Sequence, residues 1–229
     1  MKVLEKITSS VFCWIFLLLI ASCQKKVITE FGFDAAISGR VIDQASNIVA
    51  GDITSTGLLI KAMGQDDKVT MDMRVKGDGT YQNTKMFPKK FRIWITGPVT
   101  PVADTLRVDF ATDNVVVKDF VVIPFITVNK PTVVGSITAT SVNVSYAMAA
   151  NSGKVISKRE LYCSTIFYPN ATTGSGPFFT SQKITLTTNS GNVTITGLES
   201  KTKYYIRIGA QATGATGFNY SEQIEITTL

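Results

Sequence analysis

Histidine is absent from this 229-residue chain, and with it the side chain that most often serves as a general base or metal ligand. Histidine-based catalytic triads and histidine-containing zinc sites are therefore excluded. Long runs of one charge are also missing: the net charge is +6, but the basic blocks, such as Lys89-Lys90, are short. A nucleic-acid-binding function consequently gains no support from the charge pattern.

Carboxylates and thiols are the remaining candidates for catalytic or metal-binding groups. Asp66, Asp67 and Asp78 could offer oxygen ligands to calcium, but they form no regular ladder and lie among turn residues, which favours solvated loops. Cys163 stands in a strand-like run, so we interpret it as a buried apolar thiol without a disulfide partner. We therefore predict no metal, no cofactor and no enzymatic activity.

A long helical period is missing as well. Beyond residue 33, no segment repeats apolar residues at helical spacing over eleven or more positions. Short runs rich in Val, Ile, Thr, Tyr and Phe alternate instead with Gly, Asn, Asp and Pro, which is typical of β-strands and turns. Candidate strands are 36–42, 58–62, 69–75, 79–83, 91–96, 105–110 and 115–122, then 126–130, 137–140, 142–147, 158–167, 183–187, 191–196, 203–210 and 223–227. The pattern predicts an all-β protein with two tandem antiparallel β-sandwich domains; a single large barrel is the alternative.

The longest apolar run near the start, residues 11–20, is too short for a membrane-spanning helix of about 20 residues. It follows Lys2 and Lys6 and leads through small residues to Cys23, which is the layout of a secretory signal peptide. The sequence Leu-Ile-Ala-Ser-Cys at 19–23 resembles a bacterial lipobox. The resemblance implies that Cys23 is acylated and anchors the protein to a membrane by lipid.

These signals predict four segments. Residues 1–22 are the lipoprotein signal peptide, 23–33 an acylated tether, 34–124 the first β-sandwich and 125–229 the second. No aspartate directly follows Cys23, which favours the outer membrane, whereas the basic residues Lys25 and Lys26 leave periplasmic and surface-facing orientations both open.

The second half resembles a fibronectin type III or related immunoglobulin-like sandwich. Residues 142–146 alternate apolar and polar positions, as in an early strand of that fold. Leu198, Thr202 and Tyr204 match the family's leucine, threonine and corner tyrosine ahead of an alternating strand. The resemblance implies that the hydroxyl of Tyr204 hydrogen-bonds the backbone upstream and holds the corner between two strands.

The first half resembles a transthyretin-like or carboxypeptidase-regulatory-like sandwich. Its opening strand would contain Gly39, and its central hairpin would turn at Asp78-Gly79, a pair suited to positive φ. Tyr81 and Phe91 would then face the core.

Together these motifs resemble an uncharacterised lipoprotein family of Bacteroidota. Its members are commonly encoded beside the outer-membrane transporter and glycan-binding lipoprotein (SusC/SusD-like proteins) of Sus-like glycan uptake systems. The resemblance implies an accessory glycan-binding or assembly role. A structural or adhesion role, like that of fimbrial lipoproteins, is the alternative.

Candidate glycan contacts are aromatic side chains with polar neighbours, because sugars stack on rings and present hydroxyls to polar groups. In residues 91–95, alternation places Arg92 and Trp94 together, opposite the apolar residues. Tyr168, Phe178 and Phe179 belong to a second candidate segment, a Gly- and Pro-rich loop. Ordinary packing is the alternative for all five residues.

Overall fold

The computed structural model describes residues 32–52, 56–171 and 181–229. Within these ranges every regular element is a β-strand, so the chain is all-β as predicted. The strands are β1 Ala35–Ile42, β2 Leu59–Gly64, β3 Met71–Arg74, β4 Thr80–Met86, β5 Lys90–Thr96, β6 Val99–Pro101, β7 Leu106–Asp109, β8 Val115–Val117, β9 Phe120–Pro124, β10 Ile126–Val128, β11 Thr132–Val133, β12 Ser141–Ala150, β13 Ile156–Ser164, β14 Ser181–Thr185, β15 Ser190–Thr196, β16 Lys203–Ala212, β17 Asn219–Tyr220 and β18 Ile224–Thr227. No helix in the described ranges is long and apolar enough to cross a membrane.

Strands β1 to β9 form two sheets around one hydrophobic core. One sheet has the order β4-β1-β9-β6, with β8 also pairing β1, and the other has the order β3-β2-β5-β7. Ile37, Ile60 and Ile93 are fully buried between them, and Tyr81 and Phe91 face this core as predicted. The alternation of apolar and polar residues along each strand thus becomes the inside and outside of a sandwich.

Strands β10 to β18 build a second core in the same way. A four-stranded sheet of β10, β11, β12 and β15 packs against a five-stranded sheet of β13, β14, β16, β17 and β18. Val144, Leu161 and Ile206 are fully buried between them. Both cores lie in one compact unit, Phe33–Leu229, and the domain boundary at 124–125 stays a prediction.

Two strand predictions are wrong. Residues 115–122 do not form one strand, because the pairing with β1 is interrupted at Lys118 and Asp119. The segment before the break is β8 and the segment after it is β9, and both run parallel to β1. Residues 137–140 form a turn instead of a strand. In that turn the Thr138 hydroxyl accepts hydrogen bonds from the N–H groups of Thr140 and Ser141, which competes with pairing in a sheet.

The break between β8 and β9 at Lys118 explains the glycine at position 39. A Cβ on Gly39 would lie 1.8 Å from the carbonyl oxygen of Lys118, so no larger residue fits. The Tyr81 hydroxyl donates a 2.7 Å hydrogen bond to that same oxygen. The next residue, Asp119, accepts hydrogen bonds from the backbone N–H and the guanidinium of Arg40. These contacts hold β8 and β9 parallel to β1.

Tyr204 occupies the corner between β15 and β16. Its side chain is fully buried, and its hydroxyl accepts a 2.9 Å hydrogen bond from the backbone N–H of Glu199. This is the hydrogen bond of a tyrosine corner, and it pins the loop 198–202 onto the second core. The neighbouring Tyr205 points to the other face and packs edge-on against Phe167.

We predict that Tyr204→Phe lowers the free energy of unfolding by about 1–2 kcal/mol, because the Glu199 N–H loses its partner. Tyr205→Phe is the matched control, since its hydroxyl forms no hydrogen bond with any described residue, and it should change stability by less than about 0.5 kcal/mol. Urea unfolding of the two variants measures the difference; equal effects would contradict the role of the corner.

Candidate functional site

The outer face of β5 carries the first pair of predicted glycan contacts. Along this strand Phe91, Ile93 and Ile95 are buried, whereas Arg92 is exposed and Trp94 is half-buried on the opposite face. Trp94 lies opposite Lys61 of β2 in the antiparallel register. The structure thus brings Arg92 and Trp94 together as the alternation predicted, on a rigid central strand of the sheet.

Arg107 is a neighbour of this pair that the sequence reasoning missed. It lies directly opposite Arg92 on β7, and both side chains are exposed. Leu106 and Val108, on either side of Arg107, pack against the core and fix it on the outer face. The alternation of residues 105–110 indicates that Arg107 points away from the core. Only the pairing of β5 with β7 shows that Arg107 lies opposite Arg92.

A groove of about 550 Å³ lies at this end of the sheet. It is lined by residues 90–92 of β5, residues 107–109 of β7 and Gln65. Lys90 pairs with Asp109 across the strands, so three cationic side chains and one carboxylate surround the groove. The groove therefore combines a positive rim, an amide and the apolar side chains of Phe91 and Val108, and Trp94 is the next outward-facing residue of β5 after Arg92.

Two other acidic groups near this sheet, Asp72 and Asp67, are already engaged by lysines. Asp72 accepts hydrogen bonds of 2.8 and 2.9 Å from the ammonium of Lys61. Asp67 accepts a 2.6 Å hydrogen bond from Lys89, and this bond outweighs the opposing effect of desolvation and holds the pKa of Asp67 below its ordinary value. In the described ranges, no three Asp, Glu, Cys or His residues group together as metal ligands.

Tyr168, the other described candidate, lies at the junction between the two cores. Its ring covers Gly77, where an added Cβ would lie 2.2 Å from the ring, and its backbone N–H donates to the side chain of Gln223. Burial raises the pKa of its hydroxyl, and the charge of Asp78 adds to that effect. Tyr168 thus packs between the halves, away from the face that carries Trp94.

Arg207 is the central residue of the junction. Its side chain is fully buried, and it donates hydrogen bonds of 2.8 Å to the carbonyl oxygen of Ser221 and 2.7 Å to that of Gly51. The guanidinium also lies 4.3 Å from the ring centre of Tyr220. Burial lowers the pKa of Arg207 to about 10, with Tyr220 and Asp52 opposing the shift, so the group remains charged at neutral pH.

Asn219 also connects the two halves at this junction. Its side-chain oxygen accepts a hydrogen bond from the backbone N–H of Ile126, and its amide donates to the carbonyl oxygen of Pro98. Ala50 and Tyr220 form an isolated antiparallel bridge nearby. The two cores are therefore joined by directional hydrogen bonds that specify one relative orientation.

A second, smaller cleft of about 260 Å³ lies at the junction. It is lined from the first half by Asp43 and Asn47 and from the second half by Asn129, Asn219 and other residues. The carboxylate of Asp43 already accepts hydrogen bonds from Asn47, and both polar atoms of Asn219 are bonded as well. Lys130 and Glu222 also line the cleft, so it carries one cation and two carboxylates, in contrast to the three cations of the groove on the sheet.

The two buried carboxylates of the described ranges, Asp52 and Glu160, each bond to a tyrosine hydroxyl. Glu160 accepts a hydrogen bond from the hydroxyl of Tyr162 and forms an ion pair with Lys183, with 2.9 Å between the charged atoms. Asp52 bonds with the hydroxyl of Tyr220, whose pKa is raised mainly by burial. Both carboxylates also raise the pKa of Tyr162, after the larger effect of its burial.

Cys163 is 1% exposed and free, as the sequence predicted, and burial raises the pKa of its thiol to about 12. It therefore stays protonated and inert at neutral pH. The remaining predicted site residues, Cys23, Phe178 and Phe179, lie outside the described residues.

Comparison with known proteins shows similarity at the level of the fold. No protein-family model matches the chain, and no curated protein matches it significantly. A DUF3823 family protein from Parabacteroides merdae superposes with a TM-score of 0.66 at 18% identity, over 84% of this chain and 98% of that one. A "putative carbohydrate binding protein" from Bacteroides uniformis superposes with a TM-score of 0.64 at 21% identity, over 86% of this chain and 100% of that one. A DUF3823 family protein from Bacteroides ovatus superposes with a TM-score of 0.63 at 15% identity, over 86% of this chain and 100% of that one.

We predict that Asn219→Ala lowers the free energy of unfolding by about 1–3 kcal/mol, because it leaves the buried Ile126 N–H without a partner and removes one of the hydrogen bonds that the Pro98 carbonyl accepts. Asn192→Ala is the control, since Asn192 is an exposed strand residue and should cost less than about 0.5 kcal/mol. Chemical denaturation measures both, and a small loss for Asn219→Ala would show that the junction is held by other contacts.

Proposed function

We propose that this protein is a non-enzymatic outer-membrane lipoprotein that binds glycan as an accessory component of a Sus-like polysaccharide uptake system. The single observation that carries the proposal is the pairing of Trp94 and Arg92 on an outer sheet face beside an open groove. Aromatic surface with adjacent polar donors is the combination that sugar recognition requires. The similar fold of a protein from Bacteroides uniformis described as carbohydrate binding supports the same role.

The position of the site on strands also supports binding. Trp94 and Arg92 project from β5, which pairs with β2 on one side and β7 on the other. Their backbone loses little conformational freedom on binding, because the sheet already positions it. A face built in this way captures a ligand without needing a conformational change.

The membrane attachment follows from the lipobox-like sequence at 19–23. Acyl chains on Cys23 would anchor the protein, since each buried methylene contributes about 0.8 kcal/mol and several chains act together. In this position the groove would hold glycan near the membrane, where SusC/SusD-like proteins could receive it.

A structural role in assembly is the second candidate, and one observation favours it. Val115 and Val117 of β8 are 66% and 75% exposed, and β8 pairs with β1 alone among the described strands. An exposed apolar edge strand can accept a strand from a partner protein. Co-purification with a transporter pair that is unaffected by added glycan would favour this role over glycan binding.

We predict that calorimetry of the detergent-solubilised full chain against a panel of neutral and acidic oligosaccharides detects binding to at least one of them. Trp94→Ala should weaken that binding about tenfold or more, because it removes the stacking surface. Phe167→Ala is the control, since it removes another exposed aromatic ring from the second half of the chain. Uniformly flat heats from correctly folded protein would exclude the glycan-binding role.

We predict that Cys23→Ser moves the protein from the membrane fraction to the soluble or retained precursor fraction, because the acyl anchor is lost. Mass spectrometry of the wild type should show acyl chains on Cys23, and Cys163→Ser should leave fractionation unchanged. Protease treatment of intact cells then distinguishes the two faces of the membrane: digestion indicates the surface and protection indicates the periplasm.

A further inference from the structure

The groove on the outer sheet face is surrounded by positive charge that the protein itself leaves unbalanced. Arg92 and Arg107 lie directly opposite each other on antiparallel strands, where Cβ atoms are about 4.5–5.5 Å apart. Like charges in this position destabilise a sheet. The strands cannot slip to separate them, because the flanking pairs Phe91–Val108 and Ile93–Leu106 face the core.

The acidic side chains of this face do not compensate for the arginine pair. Neither Arg92 nor Arg107 forms an ion pair with an acidic residue in the described parts of the chain. Asp72 is engaged by Lys61, and Asp109 lies opposite Lys90 and accepts a hydrogen bond from the N–H of Ala111. The two guanidinium groups are therefore left for an external anion.

The neighbourhood of the pair adds a sugar-binding surface to this charge. Trp94 is two residues from Arg92 on the same face of β5, about 6.8 Å along the strand. A guanidinium presents a planar fork of donors that matches a carboxylate or sulfate in a bidentate manner. A ring surface beside two such forks suits a sugar that carries an anionic group.

We propose that this groove binds acidic glycans, with Arg92 and Arg107 holding a carboxylate or sulfate of the sugar and Trp94 stacking on its ring. This inference rests on the proposed glycan-binding function and deepens it by naming the class of ligand. The bound anion relieves the repulsion between the two arginines, so binding is favoured over that of a neutral sugar of the same shape.

The test compares ligands that differ only in charge. Calorimetry of the detergent-solubilised full chain uses oligogalacturonate against its neutral methyl ester, and a sulfated galactan oligosaccharide against its desulfated form. We expect at least one acidic ligand to bind about tenfold or more tightly than its neutral counterpart, with affinity falling as salt is added. The two pairs distinguish a carboxylate from a sulfate as the group that is bound.

Substitutions of Arg92 and Arg107 test whether these two residues bind the acidic ligand. Arg92→Gln and Arg107→Gln should each weaken acidic-ligand binding about tenfold, because each removes one charge-assisted contact. Arg92→Lys should have an intermediate effect, since it keeps the charge but loses the fork. Lys158→Gln, which removes an exposed charge from the second half, should leave affinity unchanged.

A measurement without ligand tests the repulsion independently. Both Gln variants should unfold at the same or higher urea concentration than the wild type, because they remove a like-charge pair from exposed positions. A clear loss of stability would show that the arginines serve the fold, and would overturn the proposal.

The remaining outcomes distinguish the acidic-glycan proposal from the broader proposal that the protein binds glycan. Equal binding of neutral and acidic sugars would overturn the acidic-glycan class and leave the proposed glycan-binding function standing. Absence of binding to every sugar would overturn both. Equally tight binding of a DNA oligonucleotide, lost in the same variants, would show an unspecific anion surface and overturn the proposal.

Discussion

The buried guanidinium of Arg207 is the contact on which the arrangement of the two cores depends. It belongs to β16 of the second half, yet one of its hydrogen bonds reaches the carbonyl oxygen of Gly51 in the first half. Removing a cation from water is costly, and its Nη1 atom has no hydrogen-bond partner among the described residues. The ring of Tyr220 and the nearby carboxylate of Asp52 offset part of that cost. The cation therefore gains the Gly51 carbonyl and the Asp52 carboxylate as partners only when the two halves are docked.

The docked junction in turn leaves the outer face of the first sandwich available for binding. Tyr168 and Asn219 are used within the junction, where they contact Gly77 and Pro98. The sheet of β3, β2, β5 and β7 packs its inner face on the core and presents Arg92 and Trp94 outward. The residues that form the polar junction are thus different from those on the open face.

Much of the fold could be predicted from the sequence, because strand alternation is a local property. The buried faces of β5 and β12 follow directly from the alternation of apolar residues. The positive φ of Gly79 and the burial of Tyr204 follow from turn and corner motifs that span a few residues. The strand at 115–122 could not be predicted correctly, since its break at Lys118 depends on the close approach of that residue's carbonyl to Gly39, a residue distant in sequence.

The sequence by itself determined that the chain is all-β, that Arg92 and Trp94 share a face and that Cys163 is a buried thiol. These properties depend on neighbours along the chain, within the period of a strand. Only the tertiary structure decided that Arg107 faces Arg92, because strand pairing sets which distant residues meet. It also decided that Arg207 is buried, although it alternates with the inward Tyr204, Ile206 and Ile208. The outer face of β16 is covered by a segment from the other half of the chain, and no local pattern encodes that cover.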